Sequence, residues 1–270
     1  MKRTFVGFIL LVLFTICILL LSCSDKKAVD SGDNVSNTDF VAKQTFSFGI
    51  QVKDHIRLSL EGVSGYVLIT GLSDTDSVII TGERRVGSES TEDAEEHLQQ
   101  LEVSVQDLGN EVKVKTIQPE KTYGRSYVVD YNITLPKNFE VSVSNVSGLI
   151  DLDSINNYVS VAHVSGQIAL NNISGSVFAS LISGQIEGDV TLPLDGTISM
   201  SMISGSIELD IPQSTSASFS ASVVMGSISL SDLVLKNQVS TPDSLSGTLG
   251  DGEGTISLSV VSGNISVSGF

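Results

Sequence analysis

Six carboxylates in the second half of the 270-residue chain, Asp151, Asp153, Glu187, Asp189, Glu208 and Asp210, stand three and five residues after the glycine of a recurring step, Ser-Gly. Acid pairs at a repeated spacing suit two kinds of chemistry. They can hold a hard cation such as Ca2+ through several oxygens, or divide general-acid and nucleophile work in glycoside cleavage. The surroundings argue against cleavage. From Asn138 to the end there are twelve acidic residues but a single basic one, Lys236, so little is present to stabilise developing negative charge. Carboxylates stacked about 4.8 Å apart repel by roughly 0.9 kcal/mol at the dielectric of water and about 3.5 kcal/mol at an effective ε near 20. An exposed column tolerates the first value, whereas a partly enclosed one favours a cation. A weak Ca2+ site shared by Glu187, Asp189, Glu208 and Asp210 is therefore one reading. A solvated acidic face is the other, and it is favoured because no Asp-rich loop of established Ca2+ type is present.

The remaining reactive residues carry less. His55, His97 and His163 lie far apart and lack ligand spacing. No G-x-S-x-G elbow marks a serine nucleophile, and the serines follow the repeat instead. Gly250-Asp251-Gly252-Glu253-Gly254 reads as a turn rather than a ligand loop. Stacking platforms for neutral sugars look thin, since Phe139, Tyr158, Phe178, Phe219 and Phe270 mostly fall at positions that read as core or terminus.

The elements that position these groups follow from the repeat. Its pivots are Gly148, Gly166, Gly184, Gly205, Gly226, Gly247 and Gly263, separated by 18, 18, 21, 21, 21 and 16 residues. Such a period is the signature of a solenoid. Two residues after the glycines stand Ile150, Ile168, Ile186, Ile207, Ile228, Leu249 and Ile265, and two before stand Val146, Val164, Ile182, Ile203, Val224, Leu245 and Val261. Seven before come Val141, Val159, Val177, Ile198, Phe219, Ser240 and Ile256, with serines such as Ser142, Ser160, Ser199 and Ser257 between the apolar positions. Strand alternation turns all three apolar columns inward and the serines outward. A coil of 18 to 21 residues has a contour of about 60 to 70 Å, which suits a two- or three-sided parallel β-helix.

The chain opens with Lys2-Arg3 and an apolar run from Phe5 to Leu21, a secretory signal by pattern, with an uncleaved anchor as the alternative. Leu20-Leu21-Ser22-Cys23 resembles the bacterial lipoprotein box. By that resemblance Cys23 becomes the lipidated first residue, and Ser24 after it favours the outer membrane if the cell is Gram-negative. Cys17 lies inside the signal, so no internal disulfide or thiolate site is expected after processing. The net charge is −16, which makes nucleic acid and anionic headgroups poor partners.

These readings divide the chain into a signal over 1–22, a lipidated cysteine and flexible tether over 23–44, and one all-β solenoid domain over 45–270. Within that domain 138–270 holds the regular coils and 45–137 is less regular. Val63-Ser64-Gly65-Tyr66 reads as an earlier copy of the turn. A helix is expected over 91–101, with Ser90 as N-cap and Ala94, Leu98 and Leu101 on one face, lying over the N-terminal end of the solenoid. Val103 and Val105 with Val112 and Val114 read as a hairpin, and Tyr127 to Leu135 as a strand closed by Pro136.

The order VSGYVLIT, LEVSVQD, VKVKT, VDYNITLP at 129–136, successive SG-x-I coils and GTLGDG at 247–252 resembles a bacterial adhesin family built on a domain of unknown function. The resemblance spans roughly residues 45 to 270. It implies β-helical coils and brings no catalytic residue. The expected function is a lipid-anchored, non-enzymatic adhesion or surface-interaction module of the envelope, with an unknown protein or glycan partner. The alternative is a structural or regulatory envelope protein that docks end to end through an uncapped last coil at Ile265 to Phe270.

Overall fold

A computed structural model of the chain describes residues 39–54 and 56–270. The apolar start, Cys23, most of the stretch expected as tether, and His55 lie outside the described residues. Within them the chain forms fifteen strands of one open sheet and one helix. In chain order these are β1 (Phe40–Gln51), β2 (Arg57–Glu61), β3 (Ser64–Leu72), β4 (Ser77–Ser88), α1 (Thr91–Leu98), β5 (Glu102–Asp107), β6 (Glu111–Ile117), β7 (Ser126–Pro136) and β8 (Glu140–Asp153). They continue with β9 (Val159–Ser174), β10 (Val177–Thr191), β11 (Thr197–Ile211), β12 (Ala217–Ser231), β13 (Lys236–Ser240), β14 (Ser244–Leu249) and β15 (Gly254–Gly269).

The regular coils are β8 to β12 and β15, each a long strand bent at its glycine and stacked in parallel with the glycines in register. β2 and β3 together repeat the geometry, with Gly65 opposite Gly148. The expected early copy of the turn is therefore the first member of the stack. At these bends φ lies between 123° and 145°, a region only glycine enters without strain. The approach is also close. A Cβ on Gly184 would sit 1.7 Å from the Gly166 carbonyl oxygen, and one on Gly205 1.8 Å from that of Gly184.

The bend corrects the expected alternation. Residues seven before and two after the glycine do point inward, as Val141, Val177, Ile150 and Ile186 show by complete burial. The third column, two residues before the glycine, points outward: Val224 is 71% exposed, Val261 45% and Ile203 44%. Its place inside is taken by the residue three before, Leu181, Met202, Val223 and Val260 among them. Pairing passes from Leu181↔Met202 to Ser183↔Ser204 and skips the residue between, which is pushed out at the corner. Alternation through an unbent strand would put both two-removed positions on one face, but the positive-φ glycine reverses the parity.

The order of the last coils also departs from chain order. β15 lies between β11 and β12, parallel to both, so Gly226 stacks on Gly263 rather than on Gly205. Ser246-Gly247 is not a bend at all. Gly247 lies inside β14, antiparallel to the first arm of β12 opposite Phe219. The chain comes back through Gly250 to Gly254, a turn in which the Asp251 and Gly252 amides donate to Ser216 Oγ at 3.0 and 3.1 Å. Ile265 to Phe270 is thus no uncapped terminal coil. The coil at that end is β12, whose first arm carries the β13–β14 hairpin.

At the other end β1, β4 and β7 pair antiparallel, and α1 packs on β1 and β4. Phe40 to Gln44, expected as tether, is already strand because its backbone pairs with β4 as far as Ser88. The Ser90 hydroxyl accepts from the Asp93 amide at 3.2 Å, the expected N-cap. α1 stops at Leu98 rather than Leu101, yet Leu101 is fully buried in the turn that follows. Asp93 receives two 2.6 Å bonds from Arg125, which fasten α1 to the segment before β7. The Arg125 guanidinium, then the Ser88 hydroxyl, hold the Asp93 carboxyl well below the usual carboxylate range. β5 and β6 form the expected hairpin.

Two outcomes check this architecture. Gly184→Ala is expected to destabilise by about 3 kcal/mol or more in denaturant unfolding, whereas Gly109→Ala, whose Cβ meets nothing within 4 Å, should cost far less. Similar costs would refute the close-packed bend column. Deleting residues 254–270 removes a central strand and should abolish cooperative unfolding of the coils. Loss of only a small amplitude would mean that β15 lies at an end.

Candidate functional site

The six carboxylates take outward positions on the second arms, but they do not converge. Glu187 pairs in register with Glu208, and Asp189 with Asp210. Asp151 and Asp153 are set apart from them by the coil that carries Ala169 and Asn171. Amides and hydroxyls interleave with the acids. Asn171 Nδ2 donates to Asp151 Oδ1 at 2.9 Å, and Tyr66 Oη to Asp151 Oδ2 at 3.1 Å. Asn172 Nδ2 donates to Asp153 Oδ1 at 3.1 Å, Gln185 Nε2 to Glu208 Oε1 at 3.1 Å, and Ser268 Oγ to Asp210. Among the described residues no group of three or more His, Cys, Asp and Glu side chains is arranged to hold a metal ion. Ca2+ commonly takes six to eight oxygens, so any affinity here would rest on two registered pairs.

Burial, and then the neighbouring Asp210 charge, push the Asp189 carboxyl above its ordinary range. The residues beside Glu208 and Asp210 on the far side are Ser266 and Ser268 of β15, not the Ser229 and Ser231 that chain order suggests. The acidic columns accordingly end at β11.

His163 is buried in the inward column, with Nδ1 3.0 Å from the Asn145 carbonyl oxygen and Nε2 3.0 Å from that of Gly148. His97 lies on α1, its Nδ1 2.9 Å from the Asp93 carbonyl oxygen. The two are on different elements and share no site. Phe139 and Phe219 are core, as expected, but Tyr158 and Phe178 face outward with ring centroids 5.3 Å apart.

Two surface features escaped the sequence pattern. The first is the corner line Val146, Val164, Ile182, Ile203, Val261 and Val224, one residue per coil in stacking order. Its signal, an apolar residue two before each glycine, is visible in the sequence, but strand alternation assigns it to the inward face and the bend turns it out. The second is a groove of about 430 Å3 on the first arms of β2, β8 and β9. There Arg57 Nε and Nη2 donate to Glu140 Oε2 at 2.9 and 2.6 Å, and Arg57 also stands in register with Glu111. These residues come together only through the β6–β2–β8 pairing, which no local spacing announces.

The family model described as Toastrack DUF4097 matches residues 94–268. Among solved structures the chain is similar to a "putative cell adhesion protein" from Clostridium sporogenes, at 11% identity and a TM-score of 0.47, covering 85% of this chain and all of that one (100%). It is similar to a "putative adhesin" from Bacteroides fragilis at 16% identity and a TM-score of 0.31, covering 84% of this chain and 98% of the other. A third likeness is to a "putative lipid binding protein" from Parabacteroides distasonis, at 15% identity and a TM-score of 0.29, covering 83% and 96%. No curated protein sequence matches.

The raised Asp189 titration has a defined sign. The native state keeps that proton to higher pH than the unfolded chain, so the position costs stability as pH rises through its titration. Asp210→Asn removes the neighbouring charge and keeps an acceptor for Ser268. It should stabilise at neutral pH by a few tenths to about 1 kcal/mol, with the gain fading as the medium is acidified below the ordinary carboxylate range. Thermal unfolding across that range tests this, and a gain independent of pH would exclude the carboxylate pair as its cause.

Proposed function

Because this chain belongs to the Toastrack DUF4097 family, a domain family of unknown function, we propose, from the sequence around Cys23 and from the geometry of the coils, that it is a lipid-anchored, non-enzymatic adhesion or surface-interaction module of the bacterial envelope. The observation that carries this reading is the apolar corner line, which crosses the stacked coils from Val146 to Val224. At roughly 4.8 Å per coil it runs for about 24 Å. An apolar line of that length, exposed at Val146, Ile203, Val261 and Val224 and half-buried at Val164 and Ile182, followed by serine in every coil except at Met225, is characteristic of an interaction surface. The outward acids support the same reading, since they lie in flat columns satisfied by amides and hydroxyls rather than in a cleft around a substrate.

A structural or regulatory envelope protein with a protein partner, a stress-response or scaffold component, is the second reading. One observation favours it. Among the described residues the second arm of β12, Gly226 to Ser231, pairs only with β15, and Ile228 and Leu230 on it are only partly covered. An open strand edge of this kind accepts an added strand.

Cells producing the full chain are expected to adhere to one another or to a second surface. The variant Ile203→Ser/Val224→Ser/Val261→Ser should lose that adhesion at equal abundance and thermal stability. Undiminished adhesion would sink the corner line as the binding surface, and protection from protease added to intact cells would favour the second reading. Cys23→Ala should move the protein out of the membrane fraction, and retention there would identify an uncleaved anchor.

A further inference from the structure

The repeat is interrupted at one place on its outward face. In the coils from β11 onward the first-arm outward positions are serine or threonine, as in Ser199, Ser257, Ser220, Thr197 and Thr255. Near the junction with the N-terminal strands the outermost row instead reads Glu111, Arg57 and Glu140 in register, and Tyr158 continues it just before β9, its carbonyl accepting from the Val141 amide at 2.9 Å. The row beside it reads Lys113, Ser59, Ser142 and Ser160, and is closed at the far end by Phe178; Lys113 is drawn to Glu61 at 2.8 Å. Long side chains along one row and short ones along the next leave the groove of about 430 Å3 between them. That volume lies within the range of roughly 300 to 1,000 Å3 usual for small-molecule sites.

Each wall offers a different chemistry. Tyr158 is 38% exposed and is braced by Phe178 behind it, so its ring is a supported platform. The floor is a ladder of three serine hydroxyls about 4.8 Å apart. The Ser59 hydroxyl oxygen has no hydrogen-bond partner among the described residues, although it is shielded from solvent. Both Arg57 contacts converge on a single oxygen of Glu140, so the other carboxylate oxygen is left for a further donor.

From this geometry we infer that the groove binds a short neutral saccharide. A sugar ring has an apolar C–H face that stacks on an aromatic side chain, and an equator of hydroxyls that serve as both donors and acceptors. The serine ladder and the Arg57–Glu140 pair provide matching acceptors and donors. Charge disfavours the acidic alternatives: Arg57 faces carboxylates on both sides, at Glu111 and Glu140, and Lys113 beside Ser59 is paired with Glu61 at 2.8 Å, so each cation near the groove is already matched by a carboxylate. The open, mixed lining does not suit an acyl chain. The groove lies on the first arms and is separate from the corner line, so the inference does not rest on the adhesion surface proposed above.

The test is binding of the full chain, as purified from cells, to an immobilised panel of neutral gluco-, manno- and N-acetylglucosamine oligosaccharides, with polygalacturonate and heparin as acidic controls. At least one neutral series should be bound above the controls. Tyr158→Ala should weaken binding at least roughly tenfold, Tyr158→Phe should preserve it, and Ser142→Leu, which fills the floor without touching the core, should abolish it. Val224→Asp on the corner line should leave it unchanged, which separates this site from the adhesion surface. The inference is overturned if no neutral saccharide binds, if the acidic glycans are preferred, or if Tyr158→Ala and Ser142→Leu bind like the parent protein while all keep its thermal midpoint.

Discussion

Everything in the coiled part of this protein depends on how closely backbone meets backbone at the bend. Along the stack each glycine brings its α-carbon so near the carbonyl of the next that a methyl group would overlap it, at 1.7 to 2.1 Å from Gly148 through Gly226. That contact sets the register of neighbouring coils, because a shift by one residue would bring a side chain into space that holds none. The same glycines adopt φ values closed to other residues. Register and bend are therefore specified by one residue type at one position. The inward isoleucines and valines supply the driving force, roughly 1.5–3 kcal/mol for each when fully buried, but only a neighbouring coil in register covers them.

The bend also decides what the outside looks like. By reversing strand parity it turns a column of valines and isoleucines to solvent and brings in the residue before it, usually apolar but Asn145 and His163 in the first two regular coils. These two polar groups are tolerated inside because backbone carbonyls at Gly65, Ser147 and Gly148 lie within reach. The outward faces inherit the period and repeat a few polar residue types, which favours extended contact over a focused cleft. The groove beside Tyr158 forms where the period breaks down, at the junction with the less regular N-terminal strands.

Closure differs at the two ends. The N-terminal end is covered by antiparallel strands and by α1, held there by its Ser90 cap and by Arg125. At the other end the chain passes beyond the position of β12, forms a hairpin, and returns to place its last strand between β11 and β12. This edge of β11 consequently has no partner until β15 has been made. An unpaired parallel edge is prone to wrong pairing, and a stack completed by its last strand must form long-range contacts late.

Much was legible in the sequence because it is local. The period, the bends at every expected glycine except Gly247, the helix cap at Ser90, the β5–β6 hairpin and the inward columns seven before and two after the bend glycines all follow from residue type and spacing, and each is present. The outward setting of the six carboxylates was legible for the same reason. What the tertiary structure alone decided is the order in which equivalent coils stack, the face taken by the residue two before each glycine, and the meeting of Arg57, Glu140 and Tyr158. Coil order is invisible because β12 and β15 present the same pattern of glycine and apolar residues, and either could pair with β11. The exposed column is invisible because alternation counts residues and not the reversal made by a left-handed glycine. The groove is invisible because its walls come from segments about a hundred residues apart, joined only when β2 pairs with β8.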